Sequence, residues 1–194
     1  MDKGSFLLLL NKAEASLKAA PGPSSVFSSM ALEYFGAFGD RCVIFRIFSE
    51  GGNGETEWMC KIEGGAPPGQ HNVGLIDPLG CHPDIADAAW GKETFSVRNP
   101  KRNLRTAYFR EIILEWSINE IIYAPVLLDG ARAEWVVAID ACGEKRFSLA
   151  DIIFCQMLEE LFSFRLWKEK NPEGQWSTFT HRRNAAIAAL YLPP

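Results

Sequence analysis

The chain has 194 residues, 47% of them hydrophobic and 23% charged, ordinary values that exclude disorder over its whole length. Its formal charge of −4 and pI of about 5.5 argue against a general nucleic-acid binder, which carries a basic footprint. At about 100–200 residues per domain the length suits one domain with extras, large enough to bury a core without a metal or disulfide staple.

The first apolar run, Phe6–Leu10, ends at Asn11 and Lys12. It is too short for a signal peptide, and no stretch of about 20 apolar residues follows to span a membrane. A cytoplasmic protein without a membrane partner is therefore expected. The cysteines (Cys42, Cys60, Cys81, Cys142 and Cys155) are odd in number and form no CxxC, so they read as free thiols in a reducing compartment.

Residues 5–20 read as a helix rich in Leu, Ala, Lys and Glu, stopped by Pro21-Gly22-Pro23. Ser24-Ser25 are expected to cap a second helix that runs to about Phe38. Cys42–Phe48 is apolar at nearly every position, interrupted by Arg46, and reads as a central strand covered on both faces. Gly51-Gly52-Asn53-Gly54 predicts a hairpin turn, with Glu55–Ile62 as the returning strand. Residues 63–80, rich in Gly and Pro, predict a long loop of the kind that often carries function.

Pro83, Asp84 and Asp87 open a short helix to about Trp90. Thr94–Arg98 is a short strand closed by Asn99-Pro100. Leu104–Trp116 has the apolar spacing of an amphipathic helix. Ile118–Leu128 reads as a strand, or two half-strands bent at Pro125. Asp129-Gly130 is a turn, and Ala133–Asp140 the next strand. Ser148 and Asp151 form a variant capping box. The helix it opens runs to about Lys168 and is apolar nearly all round. Such a helix needs cover on two sides: the sheet on one, and on the other either Phe6–Leu17 or the same helix of a second subunit. After Asn171-Pro172 a polar tail carries a weak helix, Asn184–Leu190.

From Val97 onward the order and spacing become specific. Asn99-Pro100, Pro125-Val126, Asp129-Gly130, the strand Trp135–Ile139 and Phe147-Ser148-x-x-Asp151 together resemble the second half of a GAF domain. The first half fits by pattern, through its helix, the apolar strand Val43–Phe48 and the hairpin. The usual glycine before the last strand is replaced by Ala133-Glu134-Trp135, the mark of a divergent member. PAS domains are the nearest confusable fold.

The resemblance implies an α+β fold. A central antiparallel six-stranded sheet has the N- and C-terminal helices on one side and loops and short helices over a pocket on the other. It divides the chain into a GAF-like domain, residues 1–168, and a tail or linker, residues 169–194. It also implies a sensory module that binds a small molecule, dimerises through its terminal helices and passes its state to an output partner or to an output domain of a longer chain. A scaffold that binds nothing and only dimerises is the alternative.

Arg46, Trp58, Trp90, Arg98, Arg105 and Tyr108 are the candidate ligand contacts. Phe6, Leu9, Phe154, Leu158, Leu161, Phe162 and Leu166 are the candidate dimer contacts. The run Arg98, Lys101, Arg102, Arg105 and Arg110 is the strongest charge anomaly in an acidic chain. It could grip a small anion at the pocket mouth, or be a solvated face balanced by Glu111 and Glu115.

Cys81-His82 is reminiscent of the bilin attachment pair of phytochrome-like members. That pair belongs on the helix here at Leu104–Trp116, which has neither residue, so a bilin is disfavoured, as is haem. His71, Asp77, Cys81, His82, Asp84 and Asp87 lack the paired short spacings of a metal site. A sulfoxide reductase of the GAF type would need a thiol partner for Cys81 before Cys142, which is missing. No Ser–His–Asp order, phosphate-cradling glycine loop or HExxH motif is found, so an enzyme is not expected.

Overall fold

A computed structural model describes residues 2–20, 22–52, 55–69, 71–91, 93–127 and 132–170. The expected turns at Asn53-Gly54 and Asp129-Gly130 and the weak helix Asn184–Leu190 lie outside these residues. So does the tail beyond Lys170.

Six strands form one antiparallel sheet: β1 (Arg41–Gly52), β2 (Glu55–Ala66), β3 (Ile76–Pro78), β4 (Phe95–Arg98), β5 (Ile118–Leu127) and β6 (Ala133–Cys142). Their spatial order is β3-β2-β1-β6-β5-β4. The first and last long strands therefore pair at the centre, with Cys42 opposite Ile139 and Ile44 opposite Val137. Alternation along each strand gives the sheet two apolar faces, and each supports its own core.

On one face Cys42, Ile44, Ile122, Ala124, Val137 and Ile139 pack against helices α1 (Lys3–Ala19), α2 (Pro23–Phe35) and α5 (Leu149–Lys170). The helices α2 and α5 lie on the sheet, and α1 bridges the two. This explains why α5 is apolar nearly all round: one side meets the sheet and the other meets α1 and α2. The Phe6 and Phe154 rings stack at 3.6 Å, and Phe162 meets Phe27 and Phe35 at 5.6 and 5.5 Å. Arg165 donates to the carbonyls of Leu17 and Ala20 at 2.6 and 2.9 Å, satisfying acceptors left over at the C-terminus of α1. The capping box forms as read: Ser148 N donates to Asp151 Oδ2 and Asp151 N to Ser148 Oγ.

On the other face Val43, Phe45, Ile47, Ile121, Tyr123, Val136 and Ala138 form the second core, with α3 (Pro83–Gly91) and α4 (Arg110–Glu115) against it.

Three readings need correction, and the alternative left open at Pro125 is decided. Helix α2 starts at Pro23 with Gly22 as its N-cap, and it ends at Phe35; Phe38 is buried beyond it. The loop after β2 contains β3, a three-residue strand held by pairing with Met59–Lys61. Strand β5 is continuous through Pro125, which pairs with Val136. Leu104–Trp116 is a 3-10 stretch over Leu104–Phe109 followed by the short α4. There Asn103 caps Arg105 N, and Thr106 Oγ1 donates to the carbonyls of Pro100 and Asn103. Such local side-chain bonds compete with a regular helix.

Candidate functional site

A cavity of about 540 Å³ lies between the second face of the sheet and the segment 104–116, within the usual size range for small-molecule sites. Strands β1, β5 and β6 supply the floor through Val43, Phe45, Ile121, Tyr123 and Ala138. The roof is Tyr108, Phe109, Ile113 and Trp116, and the loop after β2 closes one side with His71 and Leu75. Leu75, Tyr108 and Ile112 line the cavity and are also exposed, so they mark its mouth.

One end of this apolar space is charged. Arg41 and Asp140 are directly opposite on β1 and β6, both line the cavity, and their side chains pair at 3.1 Å. Arg41 is only 4% exposed. Its Nη2 lies 3.3 Å from His71 Nδ1, and its guanidinium carbon lies 4.9 Å from the centre of the Trp116 ring, within cation–π range. His71 Nε2 lies 3.2 Å from the carbonyl of Ala66. Burial, together with the Arg41 charge, holds the His71 pKa below its ordinary value, which favours the neutral ring. The partners then fix its tautomer: Nε2–H donates to Ala66, and Nδ1 accepts from Arg41. The His71 ring lies over Gly65, where any Cβ would collide with it.

Arg41 Nε is buried and has no hydrogen-bond partner among the described residues. Burial pushes the Asp140 pKa up to about 7 against the opposing pull of Arg41. The cavity therefore holds a permanent cation whose counter-ion is held less firmly ionised than an ordinary carboxylate.

The expected contacts fare differently. Tyr108 lines the cavity, and its hydroxyl donates to Asp77 at 3.2 Å. Arg46 does not line it. It projects on the helix side of the sheet, half exposed, 3.6 and 3.5 Å from Glu63 and Glu134. Trp58 packs on the second core outside the cavity, with the Trp90 edge at 5.1 Å and the Arg132 guanidinium at 4.3 Å. Arg98 pairs with buried Glu120 at 3.3 Å, and Arg105 with Asp87. Lys101, Arg102 and Arg110 are exposed. The basic run is thus an outward face, and each paired member takes an acid from another element.

Phe6, Phe154, Leu158, Leu161, Phe162 and Leu166 are buried inside the single chain, and Leu9 is half-buried against them. They meet their own helices and sheet, which leaves none of the fully buried ones for a partner surface.

Among the residues considered for metal or thiol chemistry, Asp77 lies 3.4 Å from His82 Nε2, and Asp84 accepts a hydrogen bond from Tyr123. His82 is wedged between Tyr108 and Phe109. Among the described residues no group of three or more His, Cys, Asp or Glu is placed to hold a metal ion. All five cysteines are free, with Cys81 exposed. Burial, with Asp77 nearby, pushes the Cys60 thiol up to about 12, far from a reactive thiolate.

Arg41, Asp140 and Trp116 were missed in the sequence. The available signal was opposite charge at the start of one apolar strand and the end of another. Which strands would pair was hidden.

No family model matches the sequence, and no curated protein matches it. Solved structures do match. The phycoerythrobilin-bound GAF domain of a cyanobacterial phytochrome superposes with a TM-score of 0.65 at 11% identity, covering 87% of this chain and 98% of that one. The GAF domain of an Acinetobacter phosphoenolpyruvate-protein phosphotransferase gives 0.62 at 14% identity, covering 90% and 99%. That of the Coxiella burnetii phosphotransferase gives 0.62 at 14%, covering 87% and 96%. At these identities the likeness establishes the fold: this chain is a GAF-fold domain. Among the described residues no helix is long and apolar enough to cross a membrane.

Proposed function

We propose that this chain is a non-enzymatic regulatory module that binds a small molecule in the cavity beneath residues 104–116. The state would pass to an output partner through the terminal helices. The observation that carries the reading is the cavity itself, mostly apolar and with one buried charged end. The GAF fold adds weight, because a bilin is bound in one of the similar domains, although fold does not fix function.

A route to the helices exists. Strand β5 sends Ile121 and Tyr123 to the cavity side and Ile122 and Ala124 to the α5 side. Glu120 on the same strand accepts from Phe147 N at 3.0 Å, directly before α5. A ligand that moves β5 would therefore shift the seat of α5. Homodimerisation would use the outer side of α1, where Leu8 is 73% exposed.

A thermal-shift screen with a broad library of neutral and charged metabolites tests this reading. A ligand at about 100 times its Kd should add about 2.7 kcal/mol, or several degrees in Tm. Ile113→Trp, which fills the cavity, should abolish the shift while the fold persists. A library without a single stabiliser would refute the reading.

A further inference from the structure

We propose that Arg41 is the anchor for the carboxylate of an apolar-bodied monocarboxylate, with its chain or ring lying against Val43, Phe45, Ile121 and Ala138. This rests on the reading of the cavity as a ligand site and names the ligand class.

Three observations converge. The guanidinium is buried, yet its Nε has no acceptor among the described residues. A buried donor left empty costs free energy that a ligand oxygen would recover. Nε–H lies on the edge of the fork, shared with Nη2, that matches a planar carboxylate; Asp140 takes Nη1 and His71 takes one of the two N–H groups of Nη2. Most of the remaining wall is apolar, with Asn72, Glu115, Tyr108 and Tyr123 as its polar members, which suits a body of carbon better than a polyol.

The charge balance disfavours a phosphate monoester. Among the described lining residues Arg41 is the one permanent cation, while Asp140 and Glu115 are acids. A group with about −1.5 to −2 charge would bring more anion than Arg41 can neutralise. A single carboxylate adds the least anion beside the Arg41–Asp140 pair. The basic run 98–110, which first suggested an anion, is turned to its own acids and to solvent, so the anion site moves to the opposite end of the cavity.

The test uses 3-phenylpropionate, indole-3-acetate and octanoate, each against its primary amide, with inorganic phosphate as a further probe, by calorimetry on the full chain. At least one acid is expected to bind about 10–100-fold more tightly than its amide, the range for a charge-assisted bond in a buried site. Arg41→Lys, which keeps the charge but loses the fork, should reduce that preference. The paired variant Arg41→Met with Asp140→Asn should remove it while leaving no buried charge unpaired.

The acid–amide comparison on the unaltered chain needs no variant to fold. If the amides bind as tightly as the acids, the anchor is wrong and the cavity reading stands. If phosphate binds and the acids do not, or none of these probes binds, the proposal is equally overturned. The cavity reading fails separately, only if the broad screen above is also empty.

Discussion

Arg41 and Arg46 share one strand and have opposite fates. Odd spacing turns them to different faces of β1: Arg46 to the rim on the helix side between Glu63 and Glu134, Arg41 into the cavity beside Asp140. In sequence Arg46 stood out because it interrupts an apolar run, whereas Arg41 sits just before that run. The same blindness affected Arg98 and Arg105. Their charge was legible, but their partners Glu120 and Asp87 come from β5 and α3. A second buried acid, Glu159 on α5, has its pKa raised to about 8 by burial and by Glu160, against weaker support from Ser163 and Thr94. A carboxyl raised in the folded state binds its proton more tightly there than in the unfolded chain, so its contribution to stability falls as pH rises from about 4.5 to about 8. Glu159→Gln should therefore gain on the unaltered protein across that window, by a few kcal/mol in all. Urea unfolding at pH 5, 6.5 and 8 checks this, and parallel curves would count against it.

Helix α5 shows what periodicity can and cannot reveal. Its all-round apolar pattern correctly demanded cover on two sides, and its capping box fixed its start. What filled the second side, α1 with α2 rather than a second subunit, depended on how three segments of one chain meet. Phe154 lies at that meeting, stacked on Phe6 and fully buried. Phe154→Ala should cost about 3–5 kcal/mol, read as an earlier urea midpoint, with an unchanged oligomeric state in light scattering. A switch from dimer to monomer in that variant would instead restore the sequence-based assignment of Phe154 to a dimer interface. Segment 104–116 erred the other way. Its apolar spacing promised a helix, but Asn103 and Thr106 tie down its start, leaving Leu104, Ile112 and Leu114 exposed. The short β3 carries no pattern of its own and exists through its pairing with β2.

The two-faced sheet divides the labour of the molecule. One face is packed solid by three helices, with aromatic rings in contact from α1 to α5. The other is covered more lightly, and there the cavity opens at Leu75, Tyr108 and Ile112. A ligand should therefore tighten the lightly covered side first. Hydrogen exchange with the best stabiliser from the screen should slow in residues 71–75 and 104–116, with a smaller change in α5. Protection confined to α1 and α2 would contradict this. The architecture itself was largely readable, because apolar strands and turn residues recur in a definite order. The chemistry was not, because the cavity's charged end is assembled across strands far apart in the chain.

That distance bears on how the protein is made. The Arg41–Asp140 pair closes over a separation of 99 residues, and β1 has β2 on one edge and β6 on the other. A chain leaving the ribosome can close the β1–β2 hairpin early, yet the second edge of β1 stays unpaired until residues 133–142 have emerged. Long-range pairing of this kind is slow, because loop closure precedes any gain from contact, and a bare apolar edge in the interval invites wrong partners. The cavity is thus among the last parts to exist during synthesis. A compound that grips Arg41 in the finished sheet would also raise the yield of correctly folded chains, so its cellular concentration would govern how much of this protein accumulates.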